Sequence, residues 1–492
     1  MTDAKLTDRQ KKLALALLAT TQFVIVLDAA IVNVAIPSIG RDLAFSTENL
    51  AWIPNAYALT FGGFLLLGGR MADLLGRRRL FMGGLVLFGI ASLLGGLSQT
   101  EGQLIGFRAL QGLGAAMLAP SALSMVTNMF SEGSERNKAL GVWGAVSGSG
   151  GAAGVLLGGV LTKFAGWEWV LWVNVPIALV AVFLAPRLLV ESRRESETRH
   201  FDALGALTVT AGLSLLVFVL VETVRVGWGS TQTITLLAVS VALIVVFIAI
   251  ERRSVAPLVP FAIFRRRTLT GANVVGLLIG ASLFSMFFFL SRYMQEVLRY
   301  DALKTGLSYL PLALVIIVSA GVASQLVTKL GFKPVLIAGL GLITVGLLWF
   351  SQLPVDGVYL SDIVAPMVIA AAGLGFAFVP VTIAAVSGIS QDDSGLASGL
   401  INTSQQIGGA LGLAVLATIA NSQTQDLLRA AGGDPAAVPN ALTEGFQQAF
   451  LAGAGFAVLG ILAAVFVIRS TDSRALVGMD PRRCRWRRRP GA

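Results

Sequence analysis

The chain has 492 residues, 55% hydrophobic and 13% charged, with a mean hydropathy of +0.78 and a formal net charge of +10. A soluble domain carries about 25% charged residues, so the composition excludes an ordinary soluble fold and predicts a polytopic membrane protein. A single cysteine, Cys484, excludes an intrachain disulfide, and a single histidine, His200 in a charged linker, argues against a histidine metal site.

The first twelve residues are polar and basic and read as a cytoplasmic amino terminus with no cleavable signal. About fourteen apolar runs follow, each near the roughly 20 residues that a spanning helix needs. An even number of spans puts both ends of the chain on one side. Sorted onto alternating loops, that side carries about 29 of the 37 lysines and arginines, which the positive-inside rule assigns to the cytoplasm. The basic surplus is therefore topogenic and does not point to nucleic acid. The charged stretches Glu191–His200 and 251–267 divide the chain into a bundle of six spans (13–189), two extra spans with their linkers (190–268), a second bundle of six (269–468) and a basic cytoplasmic tail (469–492). The tail, RRCRWRRR, suits anionic lipid and equally suits a solvated end.

Span 1 contains LDAAIVNVAIP. An aspartate at a helix centre costs roughly 2.5 to 3.5 kcal/mol, so Asp28 must be paired, protonated or used. Thr21 lies seven residues back on its face, and Asn33 falls on a second polar stripe. Between spans 2 and 3, GGRMADLLGRRR sets Gly69 and Gly76 at a tight turn, with Asp73 placed to meet a helix amino terminus and Arg77 to pair with it. Its segment Gly69–Arg78 has a faint echo in Ser324–Lys333, where Thr328 falls opposite Asp73. Such internal repeats occur in secondary transporters.

Span 4 carries Arg108 with Gln111 three residues on, nearly the same face. Counting inward at 1.5 Å per residue puts Arg108 and Asp28 at similar depth, where they would pair. Span 5 holds Gly150, Gly154, Gly158 and Gly159, a stripe for close helix packing. Trp167, Trp169 and Trp172 read as an interfacial belt before span 6. Glu222 near the end of span 7 is a candidate second acid, although Arg225 at i+3 offers a local partner. Phe284 and Met286 to Phe289 in span 9 would suit variable apolar ligands or lipid. Asn402, Gln405 and Gln406 form a polar face on span 13 and are candidates to line a cavity opposite span 1.

In order along the chain, LDAAIVNVAIP, WIPNAYAL, GRMADLLGRRR, RALQGLGAA, WEWVLWVNVP, YMQEVLRYDALKTGLSYLP and GLASGLINTSQQIGGALG together resemble the fourteen-span drug:proton antiporters of the major facilitator superfamily. Two places depart from the pattern. Val155 stands where the span 5 motif has proline, and Leu74 where the loop motif usually has lysine or arginine. The resemblance implies an all-α membrane protein of two six-helix bundles with two additional central helices, set in a bacterial cytoplasmic membrane. It implies proton-coupled efflux of lipophilic, often cationic drugs by alternating access. A small-molecule substrate, protons and membrane lipid would be the partners, and a proton gradient would supply energy without a cofactor. On this pattern Asp28 is the proton or substrate site, Arg108 its partner, and Asp73 with Arg77 a gate. Export of one endogenous compound, such as a self-made antibiotic, a lipid or a siderophore, is the alternative. A membrane enzyme or receptor is remote, since the sequence offers one histidine in a linker and one cysteine in the tail, and no loop long enough for a soluble domain.

Overall fold

In a bilayer every backbone polar group must be satisfied within its own segment, and this chain answers with helices. A computed structural model describes residues 7–45, 49–50, 52–192, 202–254, 257–432, 434–475 and 477, without the side chains of 224, 284, 285 and 302. His200, Cys484, the basic tail from 478, most of the Glu191–His200 linker and the Phe284 side chain lie outside this description.

The amino-terminal bundle consists of α1 (Asp8–Asp42), α2 (Trp52–Leu75), α3 (Arg77–Gly96), α4 (Glu101–Met129), α5 (Ser134–Phe164) and α6 (Trp169–Leu188). A hairpin, α7 (Ala203–Val226) and α8 (Thr231–Glu251), separates it from α9 (Arg267–Arg292), α10 (Leu310–Leu330), α11 (Phe332–Phe350), α12 (Ala365–Val386), α13 (Ser394–Ala430) and α14 (Val438–Phe466). Local chemistry sets the ends. Thr7 and Gln10 form a reciprocal capping box before α1, and Asp202 and Ser230 accept from Gly205 N and Thr233 N at the starts of α7 and α8. Thirteen of the described helices are apolar enough to cross a membrane. The fourteenth, α13, is 37 residues long but is not among them. Its polar run 402–406 faces protein rather than lipid, so the expected span is present as a helix without the expected hydropathy.

The two bundles meet along two seams. At one, α2 lies against α13 so closely that a Cβ on Gly69 would sit 2.5 Å from the Gly395 carbonyl and 3.1 Å from Gly399 Cα. At the other, α5 lies against α10 and α12, where a Cβ on Gly141 would meet Ser324 Cβ at 2.7 Å and one on Gly144 would meet Val379 at 2.7 Å. The hairpin covers the first seam. α7 packs on α2 and α13, while α8 turns Ile234, Val239, Val241, Val245 and Val246 outward. Arg70 of α2 donates to the Pro257 carbonyl in the linker after α8, and Glu251 accepts from Leu258 N and Val259 N, which holds that linker against the bundle. Below, the near face is the one bearing the start of α1, and the far face is its opposite.

Two expectations change here. Trp167 is 4% exposed and packs in the far-face core with Leu27, Ile31 and Val170, so it is not part of a surface belt; Trp169 is 47% exposed. Of the aromatic run in α9, Phe289 is buried against Phe446 and Phe450, and Phe287 stacks near Tyr309, so these rings build the carboxy-terminal bundle.

Candidate functional site

Asp28 sits in the middle of α1 with none of its surface exposed. α5 presses on this stretch through its glycine stripe. A Cβ on Gly154 would lie 2.7 Å from the Leu27 carbonyl, one on Gly158 2.7 Å from the Ile31 carbonyl, and one on Gly150 2.9 Å from Val26. Gly159 is buried in the same helix. α5 runs unbroken past Val155, so the departure from the proline motif leaves a continuous helix.

Three side chains from two other helices close on the carboxylate. Arg108 Nη1 of α4 donates to Asp28 Oδ2 at 2.6 Å. Gln111 Nε2 donates to Oδ1 at 3.2 Å, and Asn174 Nδ2, in α6, donates to the same oxygen at 2.6 Å. Arg108, Gln111 and Asn174 are as inaccessible as Asp28 itself. A second layer holds them. Gln111 Oε1 accepts from Arg108 Nη1 at 2.7 Å, and Gln111 Nε2 also donates to Ser92 Oγ of α3 at 2.6 Å. Arg108 Nε donates to the Ile53 carbonyl at 3.2 Å, and its guanidinium lies 4.6 Å from the ring centre of Tyr57, whose hydroxyl donates to the Ile25 carbonyl. A buried charge is tolerable only when paired and hydrogen-bonded, and this one is met by one cation and two amides.

The spacing argument brings Asp28, Arg108 and Gln111 together as the structure does. It missed Asn174, Ser92 and Tyr57. Nothing in a sequence says that the second turn of α6 reaches the middle of α1, so Asn174 reads there only as a polar residue near a proline.

The second aspartate lies at the near face. Asp73 Oδ1 accepts from Arg77 Nη2 at 2.6 Å and from Gly395 N at 3.0 Å, and its Oδ2 accepts from Leu396 N at 2.9 Å. These are unpaired amides in the first turn of α13, where the helix dipole favours a negative charge. Arg77 Nη2 also reaches the Gln391 carbonyl at 2.5 Å, and its Nη1 reaches Ser192 Oγ at 3.2 Å. Gly76, at φ +108°, takes a backbone conformation that disfavours other residues and turns α2 into α3. At the other seam Asn137 Nδ2 of α5 donates to Thr328 Oγ1 of α10 at 3.0 Å, so the residue matched to Asp73 in the internal repeat also joins the bundles. Asn128 Nδ2 donates to Ser394 Oγ at 3.1 Å. These polar contacts between the two bundles all lie on the near face.

The remaining candidates fall elsewhere. Thr21 donates to the Leu17 carbonyl and lines a small void with Leu85, Phe88, Leu118 and Ile177, inside the amino-terminal bundle rather than between bundles. Asn33 is exposed on α1 and donates to the Ala29 carbonyl. Gln405 lies against Gly276 and Gly280 of α9, Gln406 against Gly62 of α2, and Asn402 donates to the Ser398 carbonyl of its own helix. Gln405 and Gln406 therefore lie beside α9 and α2 respectively, rather than together against α1. Glu222 pairs with Arg225 at 2.7 Å at the far end of α7, outside the Asp28 cluster.

Known proteins resemble this chain over most of its length. The pattern of the Major Facilitator Superfamily matches residues 18–413. The puromycin resistance protein pur8 of Streptomyces alboniger is 37% identical over 470 residues, covering 95% of this chain and 93% of that one. The cephamycin export protein CmcT of Amycolatopsis lactamdurans is 42% identical over 414 residues, covering 84% and 85%. The crystal structure of the human organic anion transporter MFSD10 superposes with a TM-score of 0.63 over 92% of this chain and 97% of that one, at 16% identity, a likeness of fold alone.

Proposed function

Because this chain belongs to the Major Facilitator Superfamily, and is thus a transporter rather than an enzyme, we propose that it exports a drug-like compound in exchange for protons taken up at Asp28. The observation that carries the reading is the Asp28 cluster: one carboxylate with no exposed surface, held within a single bundle by Arg108, Gln111 and Asn174. Burial disfavours a carboxylate's charge and a fixed cation favours it, so a change in the separation of α1 and α4 would alter that balance. The driving force suffices. Each charge crossing 100 mV yields about 2.3 kcal/mol, before any pH gradient is added.

We read the near face as cytoplasmic, from the concentration of lysine and arginine on it, and the membrane as the bacterial cytoplasmic membrane. The Asp73–Arg77 contact with α13 is then the lock of the closed cytoplasmic side. We assign Asn402, Gln405 and Gln406 to the lining of the substrate path on the polarity of this stretch of α13. The compound is small, lipophilic and often cationic. A narrower reading, export of one antibiotic, is favoured by the names of the two relatives, each of which specifies a single compound.

The test is energised efflux from cells stripped of their own exporters, with ethidium, puromycin and a cephamycin as probes. The wild type is expected to export at least one of them in a manner abolished by an uncoupler, and Asp28→Asn is expected to lose that export. Full uncoupler-sensitive efflux by Asp28→Asn would remove Asp28 from the mechanism. Export of all three probes would favour the broad reading, and of one alone the narrow reading.

A further inference from the structure

Every group that touches the Asp28 carboxylate does so as a donor. Arg108 is a permanent cation and can only donate. Gln111 is locked in one orientation, because its Oε1 accepts from Arg108 while its Nε2 serves both Asp28 and Ser92. Turning that amide over would point its NH₂ at the guanidinium. Tyr57 spends its hydroxyl proton on the Ile25 carbonyl. The charged and titratable side chains facing Asp28 are therefore Arg108 and Tyr57. α3 and α6 contribute Ser92 and Asn174, and α5 contributes Gly154 against the neighbouring backbone.

This arrangement suits the ionised carboxylate and not the acid. A protonated Asp28 carries an O–H that must find an acceptor, or it becomes a buried unsatisfied donor. If that proton arrives on Oδ1, it faces Asn174 Nδ2 at 2.6 Å, donor against donor. Asn174 holds the answer on its other side. Its Oδ1 is buried and has no hydrogen-bond partner among the described residues. Rotation about χ2 of an asparagine is broad and roughly two-fold, and a half-turn exchanges the NH₂ for the carbonyl. It leaves one amide atom unpartnered in either orientation, so turning over does not raise the number of unpartnered atoms.

We propose that Asn174 is a positioning residue that turns over with each protonation of Asp28, donating to the carboxylate and accepting from the acid. This rests on the reading of Asp28 as the proton site. The place of Asn174 in the fold permits the motion. It lies in the second turn of α6, and the turn before it is anchored independently by Trp172 Nε1 on the Leu93 carbonyl. In this mechanism Arg108 and Gln111 hold the site for the ionised state, and Asn174 makes the neutral state accessible without rebuilding the cluster.

The experiment uses the full chain in lipid nanodiscs, labelled with ¹⁵N-asparagine, titrated with acid alone. The Asn174 side-chain amide is identified as the resonance lost in Asn174→Ser. The proposal expects that resonance to move between high and low pH in the wild type and to stay fixed in Asp28→Asn. In parallel, proteoliposome transport of ethidium or puromycin is measured under a proton gradient and as gradient-free counterflow. Asn174→Leu, which can neither donate nor accept, is expected to lose roughly tenfold or more of the gradient-driven rate and a distinctly smaller share of the counterflow rate. Asn174→Ser, whose hydroxyl does both, should recover most of it. An Asn174 resonance indifferent to pH, while Asp28→Asn still abolishes coupling, overturns this inference and leaves Asp28 as the proton site. Equal losses of driven transport and counterflow in Asn174→Leu would mean a merely structural role and also overturn it. Coupling retained in Asp28→Asn would defeat the parent reading and this one together.

Discussion

Asp28 and Asp73 are both buried carboxylates, each 2.6 Å from an arginine and each braced by two further donors. They differ in what they join. All of the partners of Asp28 come from α4 and α6, within its own bundle, so rigid movement of one bundle against the other leaves the cluster whole. Asp73 accepts from the first turn of α13, across the seam, and its arginine reaches Gln391 in the other half. Any opening of the near face must break that set. The same chemistry thus serves two purposes according to which boundary it crosses. The Asp28 set lies wholly inside one bundle, and the Asp73 set ties one bundle to the other.

The comparison is broken most severely at the Asp28 pair. Arg108→Gln leaves a buried carboxylate without its cation, a loss of about 3 to 5 kcal/mol, and should appear as a large fall in melting temperature. The double variant Asp28→Asn with Arg108→Gln should be more stable than the sum of the two single losses, since they share one interaction. Strict additivity would mean that the two residues do not act as a pair. Asp73→Asn comes next. It removes the charge from the arginine pair and weakens the cap on α13, together about 1 to 3 kcal/mol. Its signature is conformational: on a Cys484→Ser background, a cysteine placed at Gln406 should become labelled from the near face. Unchanged labelling would show that Asp73 does not lock that face.

Smaller effects sharpen the frame around both sites. Gly154→Val has no room against the Leu27 carbonyl and should cost about 1 to 3 kcal/mol by forcing α1 off α5. Gly151→Ala meets nothing within 4 Å and is the control. Equal thermal stability of the two would contradict the packing described for α5. The weakest effect is expected at Glu222. Its exposed partner Arg225 makes the pair worth about 0 to 1 kcal/mol, and Glu222→Gln should export like the wild type. A loss of coupling there would make Glu222 a second acid after all.

How far these sites were legible follows from their physics. Asp28 and Arg108 stood out because a charge in an apolar run is costly, and counting residues inward from the same face matched their depths. Asp73, Gly76 and Arg77 were legible because a tight turn and a helix end both have residue requirements. The fold followed from apolar length and basic loops, which the bilayer imposes directly. What could not be read were contacts between helices distant in sequence. Asn174 looks like any polar residue at a helix start, and Trp167 looks like an interfacial tryptophan until the far-face core closes over it. Thr21 shares a helical face with Asp28, yet a single helix face in a bundle divides between neighbours, and Thr21 falls to the interior beside α3 and α6. The polar run of α13 reads as one face by periodicity, but which helices meet it, α2 at Gln406 and α9 at Gln405, is a matter of packing that periodicity does not carry.

The central claim is that Asp28 exchanges a proton as the compound is carried. Its most direct test is drug-triggered proton release by the purified protein in weakly buffered solution, followed with a pH-sensitive dye as an exported probe such as ethidium or puromycin is added. The wild type is expected to release protons on binding, in a saturable manner, and Asp28→Asn to bind the same probe without release. Proton release of equal size from Asp28→Asn would contradict the account.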